Sequence, residues 1–174
     1  MDVKQAIQTR RSIRQYKVDE VADDLIQEIL EAGRLAPTGR NTQPQKFYII
    51  KSEEDKQKLK EKNIFKQDFV YQSPVIIICC ADLDFYNESY GPVSQADANL
   101  KASRDMGIVS AFMILQATEL GLGSCYIGSM EKEKIKQVLN LPANYFIPYA
   151  IVFGYPDEEP KKRIRKNLED FILK

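Results

Sequence analysis

Val75-Ile76-Ile77-Ile78-Cys79-Cys80 is apolar at every position. A strand with one wet face would alternate, so this run reads as a central strand covered on both sides. Working outward, Phe47-Tyr48-Ile49-Ile50 reads as a strand upstream. Downstream, Ser124 to Gly128 reads as a short strand, and Tyr149 to Pro156 as another that ends in a Gly/Pro stop. Helices are expected at 2–9, 20–35, 53–62 and 132–139. The second of these carries Val21, Leu25, Ile26, Ile29 and Leu30 at helical spacing and is closed by Pro37. The longest helix is expected at 96–120. Its second half, Ile108 to Ala117, is apolar nearly all round, the pattern of a buried core helix. Residues 84–94, rich in Asp, Tyr, Asn, Ser, Gly and Pro, read as a loop. There is no internal repeat, low-complexity tract or linker, so residues 1–174 read as one α+β domain.

Composition narrows the chemistry. The chain has 174 residues, 44% of them hydrophobic, enough for a real core. Lys+Arg and Asp+Glu each number 25, a balance that argues against a dedicated nucleic-acid binder. There is no histidine, which removes Ser-His and Cys-His nucleophile pairs, His-ligated zinc and an imidazole base. Cys79, Cys80 and Cys125 form no C-x-x-C motif, so neither a disulfide framework nor a thiolate metal site is expected. The longest apolar run, Val75 to Ala81, falls far short of the roughly 20 residues that span a bilayer. The start, MDVKQAIQTRRSIRQY, lacks the apolar core of a secretory signal. A cytoplasmic protein with reduced thiols and no membrane association is the expectation.

Neutrality hides local asymmetry. Residues 1–17 hold five basic residues against the single acid Asp2, and five of the six residues in Lys161-Lys162-Arg163-Ile164-Arg165-Lys166 are basic. Two such clusters could meet around one anion, since arginine's planar fork suits phosphate oxygens; each could equally be solvated surface charge. Arg10-Arg11-Ser12-Ile13-Arg14 combines guanidinium donors with a hydroxyl, an inventory for a phosphate plus a polyol. Pro37 to Pro44 offers Thr38, Asn41 and Gln43 on a loop stiffened by two prolines, or is an ordinary helix-to-strand connection. In Gly121-Leu122-Gly123, Gly121 fits a helix C-cap, and the glycines would let backbone approach a flat ligand. Asp97, Asp105 and Glu119 are spaced too widely for a metal site, and Asp105 beside Arg104 reads as an exposed pair. Cys125, without a base to activate it, reads as a buried structural thiol.

Taken together these blocks resemble the FMN-dependent nitroreductase family. The resemblance rests on R-R-S-I-R, A-P-T-G-R-N-T-Q-P, E-L-G-L-G-S-C-Y-I-G, the strand ending F-G-Y-P and the basic C-terminal segment, in that order along nearly the whole chain. It implies an α+β nitroreductase-like fold with a central mixed sheet flanked by helices, built as an intertwined homodimer with FMN at the subunit interface. Residues 1–174 would be one FMN-binding domain. Arg10, Arg11, Ser12 and Arg14 would hold the FMN phosphate, ribityl chain and pyrimidine edge, and Arg163 and Arg165 would close on the phosphate. Pro37, Thr38, Asn41 and Gln43 would come from the partner subunit or line the flavin. Tyr126, Ile127, Gly128 and Ser129 would lie against the isoalloxazine. Gln45 stands where many members carry Trp, Thr38 replaces the more usual Ser, and Asn63 to Tyr71 has no clear counterpart.

The activity so implied takes hydride from NADH or NADPH and reduces a small electron-poor acceptor, a nitroaromatic or quinone, by ping-pong kinetics. The flavin carries the chemistry, so no side chain is assigned a catalytic role and no metal is required. A non-catalytic flavin store or sensor uses the same basic clusters and is the alternative. An RNA or anionic-surface binder built on Lys161 to Lys166 is disfavoured by overall neutrality.

Overall fold

The structure, a computed structural model, describes residues 1–173; Lys174, the last residue of the charged tail, lies outside them. Its centre is β2 (Val75–Asp82), flanked by β1 (Gln45–Ile50) and β4 (Tyr145–Gly154), with β3 (Gly123–Ile127) beyond β4. The doubly apolar run is therefore the central strand, as its pattern requires. Side chains alternate across it without exception. Val75, Ile77, Cys79 and Ala81 enter one core; Ile76, Ile78 and Cys80 enter the other.

Helices α2 (Asp23–Leu35) and α6 (Gln95–Glu119) cover the first face through Ile26, Ile29, Met106, Val109 and Met113. Leu59 of α3 (Glu53–Glu61), Val70 of α4 (Phe69–Gln72) and Ile135 of α7 (Lys132–Val138) cover the second. Local signals start these helices. Ser52 accepts from the Asp55 amide at the head of α3, and Ser94 accepts from the Asp97 amide at the head of α6. At its other end α6 closes in a complete Schellman motif. Leu122 N–H reaches Ala117 O, Gly121 N–H reaches Thr118 O, and Gly121 takes the left-handed φ of 78°.

Four expectations are corrected. The sheet is not mixed: its four strands pair antiparallel throughout, and the parallel component is one bridge between Ser12 and Ser124. Residues 84–90 are helical, as α5 (Asp84–Tyr90), because fully buried Tyr86 anchors them and Asn144 holds both Asp82 and Asp84. Strand β4 starts before Pro148, which sits where the β2–β4 register shifts, a place where a missing N–H disturbs no ladder. Finally, α6 is not buried all round, since Ile108 and Phe112 are 36% and 42% exposed.

Candidate functional site

The chain's two basic ends meet. Past α1 (Val3–Thr9) the backbone extends, Ile13 N–H bonds Ser124 O at 3.0 Å, and the segment lies along the edge of β3. Gly123 makes this approach feasible: a Cβ there would stand 2.6 Å from Ile13 Cγ1. The closeness that glycine was expected to grant a ligand is thus used by Ile13. Farther on, Lys17 N–H bonds Tyr155 O and Asp157 N–H bonds Gln15 O, both at 2.9 Å. The Glu158 carboxylate then accepts the amides of Arg14 and Gln15.

This stitching turns the tail back over Arg10 to Arg14. Between them lies a cleft of about 350 Å³ lined by Arg10, Arg11, Ser12, Arg14, Arg163 and Arg165, with Lys161 and Lys162 beside them. No carboxylate among the described residues lines it. Among the described residues none of these cations forms an ion pair, and the guanidiniums of Arg10, Arg14 and Arg163 make no hydrogen bond. Arg11 is turned partly inward, donating to Gln8 O and Arg10 O. Beneath the cleft, burial pushes the Cys125 thiol above its ordinary range, as it does the Tyr16 phenol. Cys125 is buried, as its lack of a base led us to expect.

Tyr126 follows on the same strand with its ring half exposed. It donates to Ser110 Oγ at 2.8 Å, and Ser110 Oγ lies 2.6 Å from the Tyr149 hydroxyl, which in turn reaches Met106 O. That chain of hydroxyls fixes the ring, and burial raises the pKa of both tyrosines. Ile127 is buried; Gly128 and Ser129 are exposed, with nothing within 4 Å of where a Gly128 Cβ would stand. Phe65 of the unmatched 63–71 stretch bridges to Met130 just beyond.

The loop carrying Pro37, Thr38, Asn41 and Gln43 is elsewhere; none of the four lines the basic cleft. Thr38 Oγ1 accepts the Gln43 amide at 3.0 Å and so staples its own loop. Gln43 shares a separate cavity with Leu30, Arg34, Gln45 and Phe47. Within the loop Arg40, Asn41 and Gln43 all adopt positive φ, 52°, 57° and 47°.

Sequence reasoning missed two residues here. Asp105 is fully buried rather than part of an exposed pair, and its Oδ1 accepts from Arg104 Nε at 2.8 Å and from Gly39 N–H at 3.3 Å. Glu158, the latch on the tail, stood in an acidic run with nothing to single it out. No local signal marks either residue, because each acts across a long sequence separation.

Comparison with known proteins settles the lineage. The model of the nitroreductase family matches residues 7–66 and 62–155. This chain belongs to the nitroreductase family. Relatives of this nitroreductase-family chain include an NADH dehydrogenase of Thermus thermophilus, 29% identical over 99% of this chain and 96% of the relative. An FMN reductase [NAD(P)H] of Bacillus subtilis is 27% identical over 94% of this chain and 70% of its own length. Among solved structures, a protein from Desulfovibrio desulfuricans assigned as a nitroreductase, in complex with FMN, is 28% identical. It superposes with a TM-score of 0.85 over 100% of this chain and 96% of that one. The nitroreductase fold is thus shared along the whole described chain. Among the described residues no helix is long and apolar enough to cross a membrane.

Proposed function

We propose that this chain is an FMN-dependent oxidoreductase of residues 1–174, drawing electrons from NADH or NADPH and reducing a small electron-poor acceptor such as a nitroaromatic or quinone. The observation that carries the reading is the cleft between the chain ends. Seven cations share it without a carboxylate among its lining residues. Such a cluster repels itself until an anion enters, and a phosphate monoester brings nearly two negative charges and three strong acceptor oxygens. The residues present therefore fit the FMN phosphate. When bound, FMN supplies two-electron chemistry, accepting hydride from the nicotinamide donor and delivering it to the acceptor.

The chain's own residues bind and orient. Arg10, Arg14, Arg163 and Arg165 offer forked donors to phosphate, and Ser12 offers a hydroxyl to the polyol. Tyr126, Ile127, Gly128 and Ser129 would line the isoalloxazine, where the open space at Gly128 leaves room for a flat ring. Burial raises the pKa of Cys125 and of Tyr126, so both side chains keep their protons and add no negative charge beside the flavin.

The partner in this reading is a second copy of the chain. Pro37, Thr38, Asn41 and Gln43 lie outside the cleft of their own chain, so as flavin contacts they would serve the other subunit's site. Support comes from apolar side chains that their own chain leaves uncovered: Leu35, Ile108 and Phe112 near the helices, and Ile164, Leu168, Phe171 and Ile172 on the tail. The deciding experiment is an absorption spectrum of the purified protein, followed by anaerobic NADH or NADPH. A flavin spectrum that bleaches with either donor, and parallel double-reciprocal lines in turnover, are expected. No flavin even after incubation with excess FMN sinks the assignment, and intersecting lines sink the ping-pong order.

A further inference from the structure

We propose that Asp105 is a positioning residue for the flavin site: from inside α6 it clamps the 37–44 loop in the shape that presents Thr38, Asn41 and Gln43. The inference rests on the flavin reading above and names how half of that site is held.

Asp105 has no exposed surface, and a buried carboxylate is retained only where donors surround it. Three converge, each from a different part of the chain. The Tyr86 hydroxyl of α5 donates to Oδ2 at 2.9 Å, while Arg104 Nε of α6 and the Gly39 amide both donate to Oδ1. The Gly39 amide is the sole backbone donor among these partners, and it belongs to the candidate loop.

That loop needs holding. Arg40, Asn41 and Gln43 occupy the left-handed region, unfavourable for residues with a Cβ. Bonds inside the loop, Asn41 N–H to Thr38 O and Thr42 N–H to Gly39 O, fix its shape but not its place. Two outside ties reach the exposed Arg40, through Ser89 O and the Tyr90 ring. At the loop's end, Asp82 N–H of β2 bonds Pro44 O at 2.8 Å, which fixes the exit into β1. The tie to Asp105 is the one that runs from the middle of the loop to a fully buried side chain. Its tightness shows at Gly39, where a Cβ would fall 2.3 Å from Arg104 Nη2 and 2.6 Å from the Tyr90 oxygen.

The test uses full-length protein stripped of flavin, with amide exchange over 37–44, FMN titration and inorganic phosphate titration as separate readouts. Asp105→Leu is expected to speed exchange at Gly39 to Gln43 at least tenfold and weaken FMN at least tenfold. Inorganic phosphate binding at the Arg10–Arg165 cleft, which the loop of the same chain does not line, should be unchanged. Asp105→Asn keeps an oxygen for Gly39 and Arg104 and an amide facing Tyr86, and should return both loop exchange and FMN affinity to within about threefold of wild type. Should Asp105→Leu fail to fold, Gly39→Ala pushes the loop off Arg104 without touching the core and should weaken FMN in the same direction. Unchanged exchange, faster exchange with unchanged FMN affinity, or equal loss of FMN and phosphate would each overturn the clamp. Wild-type protein that binds phosphate but no FMN would instead overturn the flavin reading itself, and the clamp's role with it.

Discussion

The cleft at the chain ends and the loop over residues 37–44 both hold candidate flavin contacts, yet they are held in opposite ways. The cleft has a surplus of charge and a deficit of structure. Its cations are exposed or half-exposed, lack acidic partners among the described residues, and rely on Glu158 to keep the tail in place. The loop has a surplus of structure: internal bonds, a threonine staple and a buried carboxylate hold three residues at positive φ. A charged cleft of this kind binds any suitable phosphate, with an affinity that salt erodes. A braced loop contributes shape, which salt leaves alone but one lost contact in the core dismantles. The difference teaches that affinity and selectivity in this site need not have the same physical origin.

The comparison breaks most severely at Asp105. Replacing it with leucine strands Arg104, the Tyr86 hydroxyl and the Gly39 amide, and should cost about 3 kcal/mol of stability by denaturant titration. Asp105→Asn should cost far less. The second break falls on the cleft. Arg10→Ala and Arg165→Ala should each weaken FMN by roughly 1.5–3 kcal/mol, the scale of a charge-assisted hydrogen bond, without moving the melting point. Their effects should shrink in molar salt, where screening shortens to about 3 Å. Unchanged flavin occupancy in both variants would refute the shared phosphate.

A third variant sharpens how the cleft is built. Gly123→Ala drives a methyl into Ile13 and should cost about 1–2 kcal/mol, as overpacked sites do. Because Ile13 leads directly into Arg14, flavin affinity should fall with it. The smallest effect is a control away from both regions. Lys51 pairs with Glu20 and Asp23 at 2.9 and 2.8 Å. Such pairs near the surface are worth little, so Lys51→Ala should cost about 0.5 kcal/mol and leave flavin binding unchanged. A larger loss of flavin there would mean that the two regions do not divide the site as described.

Much of this architecture was legible because it is written in local patterns. The run at 75–80 announced a doubly covered strand, and the periodicity of 20–35 announced a helix with one face inward. The basic ends were visible as clusters, and the resemblance that joined them leads to the family that the comparisons establish. The misreadings share a cause. Residues 84–94 look like a loop by composition, but Tyr86 is helical because its ring and hydroxyl have a place to go. The strand read from Tyr149 begins at Tyr145, because Pro148 sits in the register irregularity of β4, where its missing N–H costs no ladder bond. Asp105 looks like a surface charge because its partners lie 19 and 66 residues away in the chain.

The sequence by itself therefore determined the four strands and the longer helices but not the short α4 and α5, which strand is central, and which residues carry charge without local partners, since hydrophobic period and composition are properties of neighbouring residues. Tertiary structure alone decided that the two basic ends share one cleft, that Gly123 admits Ile13, and that a carboxylate on α6 braces a loop between α2 and β1. Those outcomes depend on contacts between residues far apart in the chain, and a lone Asp, Glu or Gly carries no mark of the partner that folding will bring to it.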